Sequence, residues 1–234
     1  MSKRIDALTS MLLTAPVFLV YHLGVLLIGY RNGVDWVTGA TFELVEWSVP
    51  AYIGVTLAVV AAFSLYCYLV NHDKKLQKPL FGPVVFESLL WALVMLFGLG
   101  WASTEIERQW LALSTAFPPS PMDMGTVDKI VMAAGAGFHE EAVFRLLILG
   151  GVFRYLKSRK IKPAVSLLIA CLLSALLFAG AHHLGPIGEP LTLSVFLFRV
   201  MAGLFLGIVY VLRGFAIAVY THTLYDILVF FVFG

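Results

Sequence analysis

Long apolar runs separated by short polar connections dominate the chain. Seven of them, at about 8–29, 48–70, 82–103, 128–153, 163–183, 191–212 and 214–233, approach or exceed the ~20 residues that a helix needs to cross a ~30 Å hydrocarbon core. The pattern predicts an all-α fold, a polytopic membrane helix bundle of about seven transmembrane helices. The first run is too long, and too smoothly followed by a polar loop, for a cleaved signal peptide; it is expected to stay as a membrane anchor. The longest connection joins the third and fourth runs. It begins TEIERQWLAL and ends in Pro118-Pro119-Ser120-Pro121, which cannot continue a helix, so an interfacial helix and a rigid turn are expected there. Thr126 and Asp128 suit the start of the fourth helix, one as a cap and the other as an anion near the positive helix end. Gly203 and Gly207 form a GxxxG in the sixth, the pattern of close helix packing. With no internal repeat, residues 1–234 read as one membrane domain. Residues 1–127 supply scaffold helices 1–3 and the interfacial connection, and 128–233 supply helices 4–7.

Composition agrees with lipid as the main solvent, since 60% of the 234 residues are hydrophobic and 13% charged. A net charge of +2, with no basic run interleaved with aromatics, sets nucleic acid aside as a partner. Cys67 and Cys171 sit in apolar stretches without CxxC or Cys/His spacing, which indicates neither a disulfide framework nor a thiolate zinc site. Placing the N-terminus inside gathers Lys3, Arg4, Lys74, Lys75, Lys78, Arg154, Lys157, Arg159, Lys160, Lys162 and Arg213 on the inner side. The outer side then keeps only Arg31, Arg108 and Lys129, with Trp36, Trp47, Trp101 and Trp110 at its boundary. An integral, multi-pass membrane location follows, the plasma membrane in a prokaryote.

An ionisable group at the bilayer centre costs roughly 2.5–3.5 kcal/mol, so charges inside the runs are informative. Glu87, Glu140, Glu141, Arg145, Arg199 and Asp226 are of this kind, and His139, His182, His183 and His222 accompany them. Most lie in the last four runs, whereas Glu87 is near enough to an inner end to snorkel. Glu141 and Arg145 are four apart, neighbours on one helix face, and their pairing lowers the cost of burying both. Glu140 is rotated about 100° from Glu141 and so is free to point elsewhere and act as a base. A structural ion cluster that locks helices together is the alternative reading. Phe178 and His182 end the fifth run, and His222 and Asp226 share one face of the seventh. Three helices thus offer polar groups to a common interior. The HExxH zinc signature is absent, because Val143 stands where its second histidine belongs. A metal such as zinc held by Glu140, His182 and His222 stays open on chemistry alone. Serine nucleophiles are disfavoured: there is no GxSxG, and Ser166 and Ser174 have no evident base.

Glu140-Glu141-x-x-x-Arg145, Phe178-x-x-x-His182 and His222-x-x-x-Asp226, in this order on successive hydrophobic helices, resemble the three motifs of the CPBP family. This family comprises CAAX prenyl proteases and bacteriocin-processing or bacteriocin-immunity proteins, and is also called Abi. The resemblance spans about 128–226; residues 1–127 carry no motif. It implies an intramembrane endopeptidase of the glutamate type, hydrolysing a peptide bond in a membrane-associated peptide or lipidated protein, with no cofactor expected. Glu140 becomes the general base with His182 as its partner, His222 and Asp226 line the oxyanion side, and Glu141 and Arg145 hold the constellation. Arg199 is outside the motifs and is expected to counter Asp226 or Glu141. Family members often have asparagine at the place of Asp226. An ionised aspartate cannot donate to an oxyanion, so Asp226 is expected either to stay protonated or to orient His222. His182 falls about 28 Å along the fifth run, closer to the outer surface than Glu140 and His222, so tilt or an early helix start is required. His183 is the alternative partner. A non-catalytic binding or immunity protein is the second functional reading. A transporter or proton relay using Glu140, Arg199 and Asp226 is the third, though transporter folds commonly show a repeat.

Overall fold

In hydrocarbon a backbone N–H or C=O has no water to bond, so a spanning chain must satisfy its backbone internally. The computed structural model describes residues 5–28, 36–71, 81–110, 125–184 and 188–232, and every regular element among them is helical. The order is α1 (Ala7–Ile28), α2 (Trp36–Leu44), α3 (Val49–Asn71), α4 (Phe81–Trp110), α5 (Thr126–Gly135), the wide-turned segments π1 (Ala136–Glu140) and π2 (Ala142–Leu149), α6 (Gly150–Ser158), α7 (Pro163–Ala181), α8 (Leu193–Arg213) and α9 (Phe215–Val232). From α5 to α6 the chain is one unbroken helical rod.

Five helical stretches among the described residues are long and apolar enough to cross a membrane: Leu8–Ile28, Phe81–Ala102, Pro163–Ala181, Leu193–Arg213 and Phe215–Val232. They correspond to five of the seven expected runs. The other two are also helical but different in character. The run at 48–70 lies in α3, of which Val49–Ala62 forms a shorter apolar stretch. The run at 128–153 is divided by the wide turns that hold Glu140, Glu141 and Arg145. The expected interfacial helix is instead the end of α4, which continues unbroken to Trp110. The proline-rich turn at 118–121, with Lys3, Arg4, Arg31, Lys74, Lys75 and Lys78, lies outside the described residues, as do the side chains of Trp36, Cys67, Arg108 and Trp110. The cap of α5 is Gly125 rather than Thr126: Gly125 is extended, and its N–H donates to the Asp128 carboxylate at 2.9 Å.

α7 wears its polarity inside out relative to a soluble helix. Leu168, Leu172 and Leu176 are exposed, while Ser166, Ala170, Ser174 and Ala175 are buried. Small residues inward and large apolar ones outward is the arrangement lipid favours, because close backbone approach, not apolar burial, holds the helices. Gly203 of α8 meets this face so closely that a Cβ there would lie 3.0 Å from the Ala175 Cα, as the GxxxG pattern implies. Gly214 then turns α8 into α9 in a single residue at φ 96°, a left-handed conformation suited to glycine. α9 becomes the central post, with Phe215–Thr223 buried throughout. Tyr220 ties it to α1 by donating to Leu13 O at 2.7 Å. At the start of α4, Glu87 accepts both guanidinium arms of Arg213, one at 2.7 Å, so its charge is paired across helices as well as near an end.

Candidate active site

The rod from α5 to α6 crosses α9 where its turns widen. The Gly150 N–H closes the second wide segment onto Arg145 O, five residues back. Wide turns of this kind recur at functional sites. With more residues per turn, consecutive side chains diverge less than the expected 100°. Glu140 and Glu141 consequently both face His222, on opposite ring nitrogens. Close approach is possible because Gly137 lies against α9: a Cβ there would collide with the Thr223 hydroxyl and sit 2.9 Å from the Thr223 backbone N. Gly137→Ala is therefore expected to cost about 1–3 kcal/mol of stability and to lower activity further by moving Glu140 away from His222. Unchanged denaturation and turnover would show that this contact does not set the spacing.

Glu141 and Arg145 are fully buried and form the expected pair, Nε to Oε2 at 3.2 Å. Arg145 also donates to Gly203 O at 3.3 Å and lies over the Phe178 ring at 4.6 Å. Its charge is thus enclosed by a carboxylate, a carbonyl and an aromatic face. The other Glu141 oxygen accepts from His222 Nδ1 at 2.8 Å. It is Glu141, not Asp226, that orients His222 through Nδ1; Asp226 stands 3.6 Å from the opposite nitrogen, Nε2.

His182 caps the end of α7, and its Nδ1–H donates to Phe178 O at 2.8 Å. That bond fixes the ring and turns Nε2 toward Glu140 Oε2, 3.6 Å away, while His222 Nε2 lies 4.0 Å from the same oxygen. Both separations exceed a direct hydrogen bond. Glu140 is only 3% exposed and His182 11% in the side chain, so the space among them is shielded. The Phe178 ring walls one side, its centroid 4.6 Å from that of His182 and 6.0 Å from that of His222. Although His182 ends α7, its ring comes level with Glu140 inside the bundle, Nε2 to Oε2 at 3.6 Å.

Other polar groups are drawn elsewhere. His183 donates from Nδ1 to Glu189 O at 2.9 Å, leaving His182 as the histidine that faces Glu140. Arg199, expected to counter Asp226 or Glu141, bonds Glu189 with Nε at 3.0 Å and with Nη2. Burial pushes the Glu189 carboxyl up, but the Arg199 hydrogen bonds outweigh it and hold it below the usual carboxylate range. The Glu189 N–H donates to His182 O at 2.8 Å, strapping this segment over the end of α7. Sequence reasoning missed Glu189, although it is the only acidic residue between Glu141 and Asp226 and so the nearest acid in the chain for Arg199. His139 faces α1, where its ring centroid is 4.8 Å from Tyr21 and 5.1 Å from His22. Ser174 and Ser166 donate to Phe144 O and Ile161 O, at 2.7 and 3.3 Å. Among the described residues no three His, Cys, Asp or Glu side chains are grouped to hold a metal ion.

A buried carboxylate with two imidazole nitrogens 3.6 and 4.0 Å from one of its oxygens is an arrangement able to activate water and receive a developing charge. Residues 124–228 match the family model described as type II CAAX prenyl endopeptidase, Rce1-like, and every site residue from Glu140 to Asp226 falls within the match. No curated protein and no solved structure matches the chain. Residues 124–228 of this multi-pass integral membrane protein are therefore similar to the Rce1-like type II CAAX prenyl endopeptidase family.

Proposed function

We propose that the protein is an intramembrane endopeptidase that hydrolyses a peptide bond near the end of a prenylated, membrane-associated protein or peptide, using a water activated by Glu140 and His182. The observation that carries the reading is the convergence of His182 Nε2 and His222 Nε2 on Glu140 Oε2, at 3.6 and 4.0 Å. With Nδ1–H committed to Phe178 O, a neutral His182 offers an Nε2 lone pair. One water donating a proton to that nitrogen and the other to Glu140 has its own lone pair left for the scissile carbonyl carbon. Glu140 takes the proton as the C–O bond forms and later passes it to the leaving amine.

His222 acts as an imidazolium. Its Nδ1–H is held by Glu141, and its Nε2–H meets the oxyanion. Asp226, on the Nε2 side, assists as a donor in its protonated form. Arg145 keeps Glu141 in place. The reading retains seven crossings with the N-terminus inside and requires no metal or other cofactor.

The test is cleavage of a peptide library that includes prenylated C-termini, by the full-length protein in nanodiscs, with and without chelator. Cleavage that survives chelator and is lost in His182→Ala and His222→Ala supports the reading. Loss of activity on chelation, restored by zinc, replaces it with a metallopeptidase built on the same three residues. Full activity in both histidine variants places the chemistry elsewhere. Cleavage by no form shifts the function to binding or immunity.

A further inference from the structure

A cavity of about 510 Å³ lies between α6, the first turns of α7 and the end of α8. Its walls are Leu149, Phe153, Leu167 and Val211, and Arg154 and Lys157 complete the lining beside Tyr210. Gly150 lets the Tyr210 hydroxyl in, since a Cβ there would already be 3.4 Å from it. Lys157 Nζ lies 5.9 Å from the centroid of the Phe153 ring, which holds the ammonium against the apolar wall. Gly150 is ten residues past Glu140 on the same rod, about 15 Å along a helix. The cavity is thus separate from the site that faces His182 and His222.

Two features decide what it takes. The first is charge: no Asp or Glu occurs between Glu141 and Glu189, while Arg154, Lys157, Arg159, Lys160 and Lys162 all do. A bound anion meets cations without competition from a nearby carboxylate in sequence. The second is that cations and hydrocarbon line one space. A small soluble anion leaves Leu149, Phe153, Leu167 and Val211 uncovered, whereas an amphiphile satisfies both parts. α6 has no buried residue, as a helix at the membrane–water boundary should, and basic pockets between helices at that level recognise acidic headgroups.

We propose that this cavity is a binding site for an anionic phospholipid, its headgroup on Arg154 and Lys157 and the start of an acyl chain along Leu149, Phe153, Leu167 and Val211. The proposal is independent of the peptidase reading and is tested by binding alone. Purified full-length protein is titrated with phosphatidylglycerol, phosphatidylcholine and soluble glycerol phosphate, and lipid retention is read by native mass spectrometry. Retention of phosphatidylglycerol over phosphatidylcholine is expected. R154Q/K157Q should weaken phosphatidylglycerol by about thirtyfold, the effect of two interfacial cations. R159Q/K160Q removes the same charge from the same connection outside the lining and should leave affinity unchanged. Val211→Trp, which fills the cavity at constant charge, should also displace the lipid. Equal losses in the two double variants would mean diffuse attraction and overturn the proposal. So would indifference to headgroup, or glycerol phosphate binding as tightly as the lipid.

Discussion

Glu140→Gln is expected to slow peptide cleavage by about 10²–10⁴-fold, the usual contribution of a positioned general base, without loss of folded protein. Glutamine keeps the shape of glutamate and removes only its charge and basicity. At 3.6 and 4.0 Å the two histidines make no direct hydrogen bond to Glu140 that an amide would break. Electrostatics point the same way. Glu140, Glu141 and Asp226 crowd around one His222 ring, so removing one carboxylate relieves repulsion and should leave the melting temperature unchanged or slightly raised. The measurement is turnover of a cleaved peptide beside thermal unfolding in the same detergent. Turnover within about tenfold of the parent would fall below the range for a general base and remove Glu140 from that role.

Arg145→Ala is expected to have the largest effect on stability, about 3–5 kcal/mol, because it strands a buried charge. Glu141 is fully buried, with Arg145 3.2 Å from one of its oxygens and His222 2.8 Å from the other. The same change frees Gly203 O and uncovers the Phe178 ring, loosening the contact of the rod with α7 and α8. Arg145→Lys should recover only part of the loss, since one ammonium cannot match the guanidinium plane over Phe178 while reaching both oxygens. The double variant E141Q/R145Q, which removes both charges together, should be more stable than Arg145→Ala. Denaturation midpoints in detergent decide it. An Arg145→Ala protein that melts with the parent would mean that Glu141 is satisfied by His222 alone.

Much of the candidate site was legible because four-residue spacing on a helix is a geometric statement. Glu141–Arg145 and His222–Asp226 are neighbours as expected, and the Phe178 carbonyl four residues before His182 is the acceptor that fixes its ring. Legibility stopped at relations between helices. Glu189 is the nearest acid in the chain to Arg199, but the two meet only when the 188–192 segment folds back over the end of α7. The choice between His182 and His183 was likewise closed by distant contacts, with Glu189 O and Phe196 claiming His183.

Hydrophobic run length and the placement of charges by themselves determined that this is a helical membrane protein and which residues its polar interior would contain, because lipid imposes on every spanning segment the same demand for internal backbone bonding and few charges. The widening of the rod was decided only by the tertiary structure. A run of apolar residues around Glu140 reads as ordinary helix, and the wide turns appear where Gly137 presses against Thr223 and Arg145 reaches Gly203 O. Those contacts turn two adjacent glutamates onto one histidine, and they exist only once α9 stands in the middle of the bundle.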